Sequence, residues 1–265
     1  MPAERPLRVA DASVIVHPDA ESASKDAADR IERIVADAVA ARGKAVLGMA
    51  TGATPEKVYG LLAARVAAGA LSLRDATTYN LDEYYPIQPL DPLSYRSYMH
   101  RHLFGRVDLA ANRAHILDGT VPEHAAAEHA AQFDRWIEAD GGLDLQLLGI
   151  GRNGHIGFNE PSDLPVDEFA ALPTRLVDLH PITVADAVRE FGSPEAVIPR
   201  ALTMGVRAIL AARSIIMLAT GAKKAPIVAQ ALKGPITAAV PASVLRTVAD
   251  RVVWILDEPA AADLG

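Results

Sequence analysis

Strand-like and helix-like segments alternate along this chain from one end to the other, and that rhythm limits the fold more than any single motif. Residues 9–16 are apolar and β-branched. Residues 22–42 follow, with Ala27, Ile31, Ile34, Val35, Ala38 and Val39 at the spacing of one helix face. Further strands are expected at 45–50, 76–80, 143–148, 214–219 and 251–256. Helices are expected at 54–68, 92–104, 123–138, 201–211, 222–232 and 242–249. At least six strands separated by helices is the pattern of a mostly parallel, doubly wound sheet covered on both faces. The expected fold class is α/β, a single three-layer α/β/α domain over residues 1–265, with no repeat or composition break to divide it. Residues 161–199 interrupt the rhythm: they are polar, proline-punctuated and weakly periodic. Such a segment inside a compact domain is expected to be an active-site lid.

Composition removes several classes of function. The net charge of −7 argues against non-specific nucleic-acid binding, so an anionic ligand would need a local cluster of cations and helix N-termini. There are no cysteines, which excludes disulfides, thiolate metal sites and cysteine nucleophiles. The N-terminus is charged and lacks the apolar core of a signal peptide, and no apolar run approaches the length of a membrane span. The expected location is cytoplasmic.

The expected strand 143–148 runs into Gly149-Ile-Gly-Arg-Asn-Gly-His-Ile-Gly-Phe-Asn-Glu-Pro161, with four glycines in nine residues. Glycines let backbone approach a ligand closely. His155 and Glu160 lie among them, close enough to pair after a turn, which is how an α/β enzyme presents acid and base groups to a small molecule. Gly149-x-Gly151-x-x-Gly154 also satisfies the dinucleotide fingerprint. That fingerprint needs its third glycine to open a long helix, and Pro161 and Pro165 follow too soon. Neither a nicotinamide nor a flavin cofactor is expected from this loop.

In a doubly wound sheet, ligands bind beyond the carboxyl ends of the strands. After 45–50 comes Thr51-Gly-Ala-Thr-Pro55, where Thr54 suits an N-cap and Pro55 the first helical position. Thr51, Gly52, Ala53 and Thr54 would offer backbone N–H groups and hydroxyls to an anion; the same residues also serve an ordinary capped helix. After 214–219 comes Thr220-Gly-Ala-Lys-Lys224. Lysines in a first helical turn oppose the dipole, a placement that a bound anion would reverse, although solubilising lysines are the plain alternative. After 76–80 come Asp82 and Glu83, which point opposite ways along an extended strand: one could be a general base and the other structural, and an ordinary turn or cap carboxylate is the equal alternative. The histidines at 100, 102, 124 and 129 do not share a helix face, His155 has no second histidine nearby, and no metal is expected. A Gly-x-Ser-x-Gly elbow is absent, so a hydrolase triad has no support.

Taken together, these loops resemble the isomerising glucosamine-6-phosphate deaminase family. The resemblance covers nearly the whole chain. It rests on the run from Gly149 to Pro161, Asn80-Leu-Asp-Glu-Tyr84, the Thr51–Pro55 loop and Ser94-Tyr-Arg-Ser-Tyr-Met-His100, and extends through Arg200-Ala-Leu-Thr-Met-Gly205 to Asp257-Glu-Pro259. It implies conversion of glucosamine 6-phosphate and water to fructose 6-phosphate and ammonia, without cofactor or metal. By resemblance Asp82 is the base that moves a proton between C2 and C1. His155 opens the sugar ring, with Glu160 and Asn153 orienting and tuning it; some members carry Asp in place of Asn153. Thr51, Gly52, Ala53, Thr54, Lys224 and Arg189 would hold the phosphate, Arg189 through a one-residue insertion in the lid. The expected partner is a small-molecule sugar phosphate, with no nucleic acid and no membrane, and homo-oligomerisation is left open. Regulated members use basic lid residues and a tyrosine-bearing tail to bind an effector. Here Arg175 is retained, Val177 and Asp178 stand at later effector positions, and the chain is expected to respond hyperbolically to substrate. The same fold serves 6-phosphogluconolactonase, whose glycine loop ends in a Gly-His-Thr-Ala-Ser type of sequence, where this chain has Gly154-His-Ile-Gly-Phe-Asn-Glu160. Lactone hydrolysis and a non-catalytic sugar-phosphate sensor are the two rival readings.

Overall fold

The computed structural model describes residues 4–265. Its first element departs from expectation. Residues 9–16 are not one strand: β1 (Arg5–Val9) turns at Ala10 and Asp11 into β2 (Ala12–His17), an antiparallel hairpin with Ala10 at φ 50°. α1 (Ala20–Arg42) begins where the Asp19 carboxylate accepts from the Ser22 N–H at 2.8 Å and ends at left-handed Gly43. Its buried Ala27, Ile31, Val35 and Ala38 form the stripe read from the sequence.

Next come β3 (Ala45–Met49), α2 (Ala53–Ala67), β4 (Ala76–Asn80), β5 (Asp82–Tyr84), α3 (Tyr95–His102), β6 (Ala114–His115) and α4 (Glu123–Ala139). β7 (Leu145–Leu148), α5 (Val166–Ala170), β8 (Arg175–Asp178), α6 (Pro181–Phe191), β9 (Arg200–Thr203) and α7 (Val206–Ala211) follow. The chain closes with β10 (Ile215–Ala219), α8 (Ala225–Lys233) and β11 (Val252–Asp257). The main sheet has eight strands in the order β1-β2-β11-β10-β7-β3-β4-β6, all parallel except β1 against β2. Helices cover both faces, giving three α/β/α layers. β3, β4 and β10 are buried along their whole length, as strands covered on both faces must be. From β3 the chain winds outward through β4 to β6, and from β7 it winds the other way through β10 to β11. The switch point therefore lies between β3 and β7, and the loops at 50–54 and 149–161 leave from its two sides.

A second sheet, β5-β9-β8, is antiparallel and was not anticipated. It corrects the helix expected over 201–211: residues Arg200–Thr203 form its central strand, with Ala201 and Leu202 fully buried, and only Val206–Ala211 is helical. Residues 161–199 likewise contain α5, β8 and α6. Two expected helices are also altered. The 222–232 segment starts as a 3-10 turn, Ala222–Lys224, before α8, and 242–249 lies within a 3-10 run, Pro241–Arg251, broken at Val248.

Gly205 sits where β9 passes into α7, and a Cβ there would overlap the Leu172 carbonyl and the Pro173 backbone. Gly60, inside α2, has open space around it. Gly205→Ala should cost about 1–3 kcal/mol by overpacking, while Gly60→Ala should gain up to about 1 kcal/mol. Urea-unfolding midpoints of the two variants measure this; a neutral Gly205→Ala would mean that the 172–173 backbone gives way easily.

Candidate active site

The site begins where β4 leaves the main sheet. Leu81 donates its N–H to Met49 O in β3 at 3.0 Å, and its carbonyl accepts from Met204 N–H at 2.6 Å, just past β9. One residue thus joins the two sheets, and extended geometry sends the next two side chains opposite ways. Glu83 turns toward α3 and accepts from the backbone N–H groups of Tyr84, Tyr95 and Arg96 at 3.0, 2.8 and 2.9 Å, capping that helix. Asp82 turns into a cavity of about 620 Å³, a volume that suits a small ligand. Among the described residues its one side-chain hydrogen bond is from Thr51 Oγ1 at 3.5 Å, the limit of the range. Burial, with the adjacent Glu83 charge, pushes the Asp82 carboxyl up to about 8. Burial also raises Glu83, to about 7, against the pull of its three N–H donors.

The loop after β7 forms the opposite wall. Gly151 N–H donates to His155 O and Gly154 N–H to Gly151 O, both at 3.0 Å, and Gly154 is left-handed at φ 88°. A Cβ on Gly151 would collide with the His155 ring, so this glycine is demanded by packing rather than by a pyrophosphate. His155 Nδ1 lies 3.3 Å from Glu160 Oε2 and 3.2 Å from Thr183 Oγ1 on α6. Asn153 Nδ2 donates to the same Glu160 oxygen at 2.8 Å, and Asn153 Oδ1 accepts from His155 N–H at 3.2 Å. Burial opposes ionisation of Glu160, but hydrogen bonds from His155, Thr183 and Asn153 outweigh it and hold the carboxyl at about 2. An ionised Glu160 can only accept, so Nδ1 carries the proton and Nε2 is left to take one. Asn153 and Glu160 stand behind the ring, and His155 itself lines the cavity.

The other cavity walls carry the anion-binding features, with one correction. Thr54 is not the N-cap of α2: Gly52 is, at φ 102° and without a capping side chain, so Ala53 opens the helix and Thr54 follows it. No side chain therefore occupies the first N–H groups, and Thr51, Gly52, Ala53 and Thr54 all line the cavity. Gly221 makes the matching turn at φ 88°, its N–H held by both Asp257 carboxylate oxygens at 2.9 and 3.0 Å. That contact accounts for the acidic residue closing the sequence motifs. Lys224 Nζ donates to Ile150 O at 2.7 Å; burial lowers its pKa, Asp186 opposes that effect and Arg152 adds to it. Arg189 reaches the cavity from α6. The residues singled out from the sequence thus surround one cavity, directly or one layer behind.

Sequence reasoning missed Thr183, Tyr84, Tyr95, Arg152, Asp186 and Glu190, which also line the cavity. Thr183, Asp186 and Glu190 sit on α6, whose placement over the cavity has no local sequence signal; Tyr84, Tyr95 and Arg152 lay within motifs read from the sequence but were given no role. A larger groove of about 890 Å³, with Arg8, Asp11, Arg33 and Asp250 in its walls, lies at the amino ends of the strands, away from the switch point. Among the described residues, one group could gather around a metal ion, Glu4, His17 and Asp26, and it is outside the cavity.

A family described as glucosamine-6-phosphate isomerases/6-phosphogluconolactonase matches residues 18–254. A glucosamine-6-phosphate deaminase of Rhodopirellula baltica is 46% identical over 244 residues, covering 92% of each chain. The solved structure of a monomeric glucosamine-6-phosphate deaminase superposes with a TM-score of 0.85 at 37% identity, covering 94% of this chain and 99% of that one. A 6-phosphogluconolactonase from Trypanosoma brucei shares the fold, at TM-score 0.76 and 19% identity over 99% of this chain and 100% of that one.

A folded-state pKa raised above the ordinary carboxylate value means that the fold disfavours the ionised form. The stability Asp82 contributes is complete below about 3.8 and is lost as pH rises toward about 8. Asp82→Asn removes that loss. The melting temperature of the variant should exceed that of the parent chain by a margin that widens between pH 5 and pH 8.5, by about 3 °C or more. A margin independent of pH would show that Asp82 is ionised in the fold throughout.

Proposed function

The chain belongs to the family of glucosamine-6-phosphate isomerases and 6-phosphogluconolactonases, and we propose that within it the protein is an isomerising deaminase. It converts glucosamine 6-phosphate and water to fructose 6-phosphate and ammonia. The observation that carries this reading is the presence of two separate proton-moving groups, Asp82 and the His155–Glu160 pair, in a cavity that also offers a helix N-terminus and Lys224 to a phosphate. Lactone hydrolysis needs a base for water and an acid for one leaving oxygen, and a single imidazole can serve both steps. Moving a proton between two carbons needs a second base, and Asp82 supplies one. The 46% and 37% identities to deaminases, against 19% to the lactonase, favour the same choice.

In this mechanism the phosphate is held by the N–H groups and hydroxyls of Thr51–Thr54 with Lys224 and Arg189. His155 Nε2 takes the proton of the anomeric hydroxyl as the C1–O5 bond breaks and returns it to O5, while Glu160 stabilises the imidazolium through Nδ1. Asp82 removes the C2 proton of the open aldehyde as O1 takes a proton from the substrate's own ammonium group, giving a neutral enolamine. Asp82 then delivers its proton to C1, leaving an iminium at C2. Water adds there and ammonia departs. Electrons are only redistributed within the substrate, so no redox cofactor is called for. A raised pKa makes Asp82 a stronger base once ionised, which suits abstraction of a weakly acidic C–H. Residues 161–199 act as the lid in this reading, because α6 carries both Thr183 and Arg189. The protein works in the cytoplasm on a free sugar phosphate; among the described residues no helix is long and apolar enough to cross a membrane.

Ammonia release should be seen with glucosamine 6-phosphate and be far slower with glucosamine, because phosphate binding also orients the reacting end. Asp82→Asn should lower the rate on the order of 10²–10⁴-fold. Turnover of 6-phosphogluconolactone without ammonia release from the amino sugar would sink the deaminase reading. Regulation gives a separate expectation. Arg175 is already engaged, donating to Asn159 Oδ1 at 2.8 Å, and at a position where the resemblance puts an effector contact stands the exposed Asp178, a carboxylate 3.6 Å from Arg200 Nε. Substrate saturation should be hyperbolic and should stay so when N-acetylglucosamine 6-phosphate is added; a sigmoidal curve made hyperbolic by that compound would count against it.

A further inference from the structure

Arg152 and Asp186 form a fork across the mouth of the cavity, one on the glycine loop and the other on α6. The Nε–Oδ2 separation is 3.2 Å and the Nη2–Oδ1 separation 3.0 Å. Both side chains are about half exposed, at 57% and 49%, and ion pairs in that setting contribute little to stability. Nor does α6 need this pair for docking, since Thr183 meets His155 and the His180 N–H meets Glu160 at 3.3 Å. The pair does face the ligand. Both residues line the cavity, and both act electrostatically on Lys224, Arg152 disfavouring its charge and Asp186 favouring it.

We propose that Arg152 is a phosphate-binding and specificity-determining residue of this site, and that Asp186 holds the guanidinium fork in place until a phosphate ester displaces it. The inference rests on the reading that the substrate carries a phosphate. The physical case is one of exchange. A guanidinium offers two parallel N–H groups that fit a carboxylate or a phosphate equally well in geometry. Arg152, Arg189, Lys223 and Lys224 are the basic residues that line the cavity, and Asp186 is ion-paired with the first of them. A phosphate dianion brings more charge than Asp186 and can use the α2 N–H groups and Lys224 at the same time, so it wins the fork. The carboxylate is then released to solvent, to which it is already half open. Asp186 thereby keeps Arg152 aimed into the cavity and away from bulk anions, and sets a threshold that a weakly charged ligand does not cross.

The test uses inorganic phosphate as a competitive inhibitor of ammonia release from glucosamine 6-phosphate, at constant ionic strength. Arg152→Gln should raise the phosphate inhibition constant and the KM about tenfold, the scale of a lost charge-assisted fork. Arg152→Lys should recover part of that loss. Asp186→Asn should shift both constants the other way, lowering them about two- to threefold by removing the competing carboxylate. A pair that only ties the loop to α6 is broken by either variant, so changes in the same direction for Arg152→Gln and Asp186→Asn overturn the proposal. Unchanged constants in Arg152→Gln overturn it as well, while intact ammonia release leaves the deaminase reading standing. If the parent protein released no ammonia, phosphate binding followed by calorimetry in the same variants would still decide the role of Arg152.

Discussion

Everything in this site depends on Leu81 serving two sheets at once. Its N–H belongs to the main sheet through Met49 and its carbonyl to the small sheet through Met204. That double attachment fixes the residues immediately after it, so the facing of Asp82 and Glu83 is set by backbone and not by their own chemistry. Two adjacent carboxylates in a buried place would both be costly to ionise. The fold resolves the conflict by unequal supply. Glu83 receives three backbone N–H groups at 2.8–3.0 Å, whereas Asp82 receives one hydroxyl contact at 3.5 Å. The poorly supplied carboxylate is the one that faces the cavity, and it carries the larger pKa displacement. Strongly displaced groups in clefts are where proton chemistry is expected.

The glycine loop solves a second problem, which is to hold an imidazole edge-on between a carboxylate and a ligand. Gly151 leaves the space that the ring fills, and the left-handed turn at Gly154 brings the chain back so that Glu160 can reach Nδ1. Asn153 closes the arrangement from behind, one amide bonding both the Glu160 carboxylate and the His155 backbone. Glu160 is held near 2 by His155, Thr183 and Asn153 together, so the negative charge beside the ring comes from Glu160 and residue 153 contributes a hydrogen bond to it. A neutral amide is therefore sufficient there, and orientation is what it contributes.

How much of this was legible follows the range of the interactions. The strands of the main sheet are apolar runs bounded by turns, and β4 was bounded at Ala76 and Asn80 from sequence alone. The small sheet escaped because β5, β8 and β9 span three or four residues, too few to show alternation, and pair only with distant segments. β9 also runs through Gly205 into α7 with apolar spacing that imitates one helix. The N-terminal hairpin was hidden because its turn uses left-handed Ala10 in place of a glycine. At Thr51–Pro55 the threonine-proline pair suggested a cap at Thr54, but the chain enters the helix through Gly52, whose φ of 102° suits glycine and costs other residues strain. Asp82, His155 and Lys224 could be read because strand ends in such a sheet face ligands. Thr183 and Asp186 could not, since only tertiary packing brings α6 over the cavity.

The remaining question is how a chain of net charge −7 presents a cationic pocket to an anion. The answer lies in desolvation rather than in the overall field. Lys224 is buried enough that its charged form is disfavoured, and among the described residues its ammonium has one acceptor, Ile150 O at 2.7 Å. An ammonium has three N–H groups, so two remain for a ligand. Gly52 and Gly221 leave their turns free of capping side chains, and Asp257 ties down the N–H of Gly221 and so fixes the turn that carries Lys224. On the proposed function, a phosphate here would replace lost hydration for the lysine and for the α2 N–H groups in one step, and would draw Lys224 back toward its ordinary basicity. At Asp82 no cation is supplied, and the carboxyl stays raised. The two parts of the cavity thus differ in what they lack, one a negative charge and the other a proton acceptor's solvation. On the proposed function, that difference would give a sugar phosphate a direction, with its phosphate toward Lys224 and Thr54 and its C1–C2 bond toward Asp82 and His155, all of which line the one cavity.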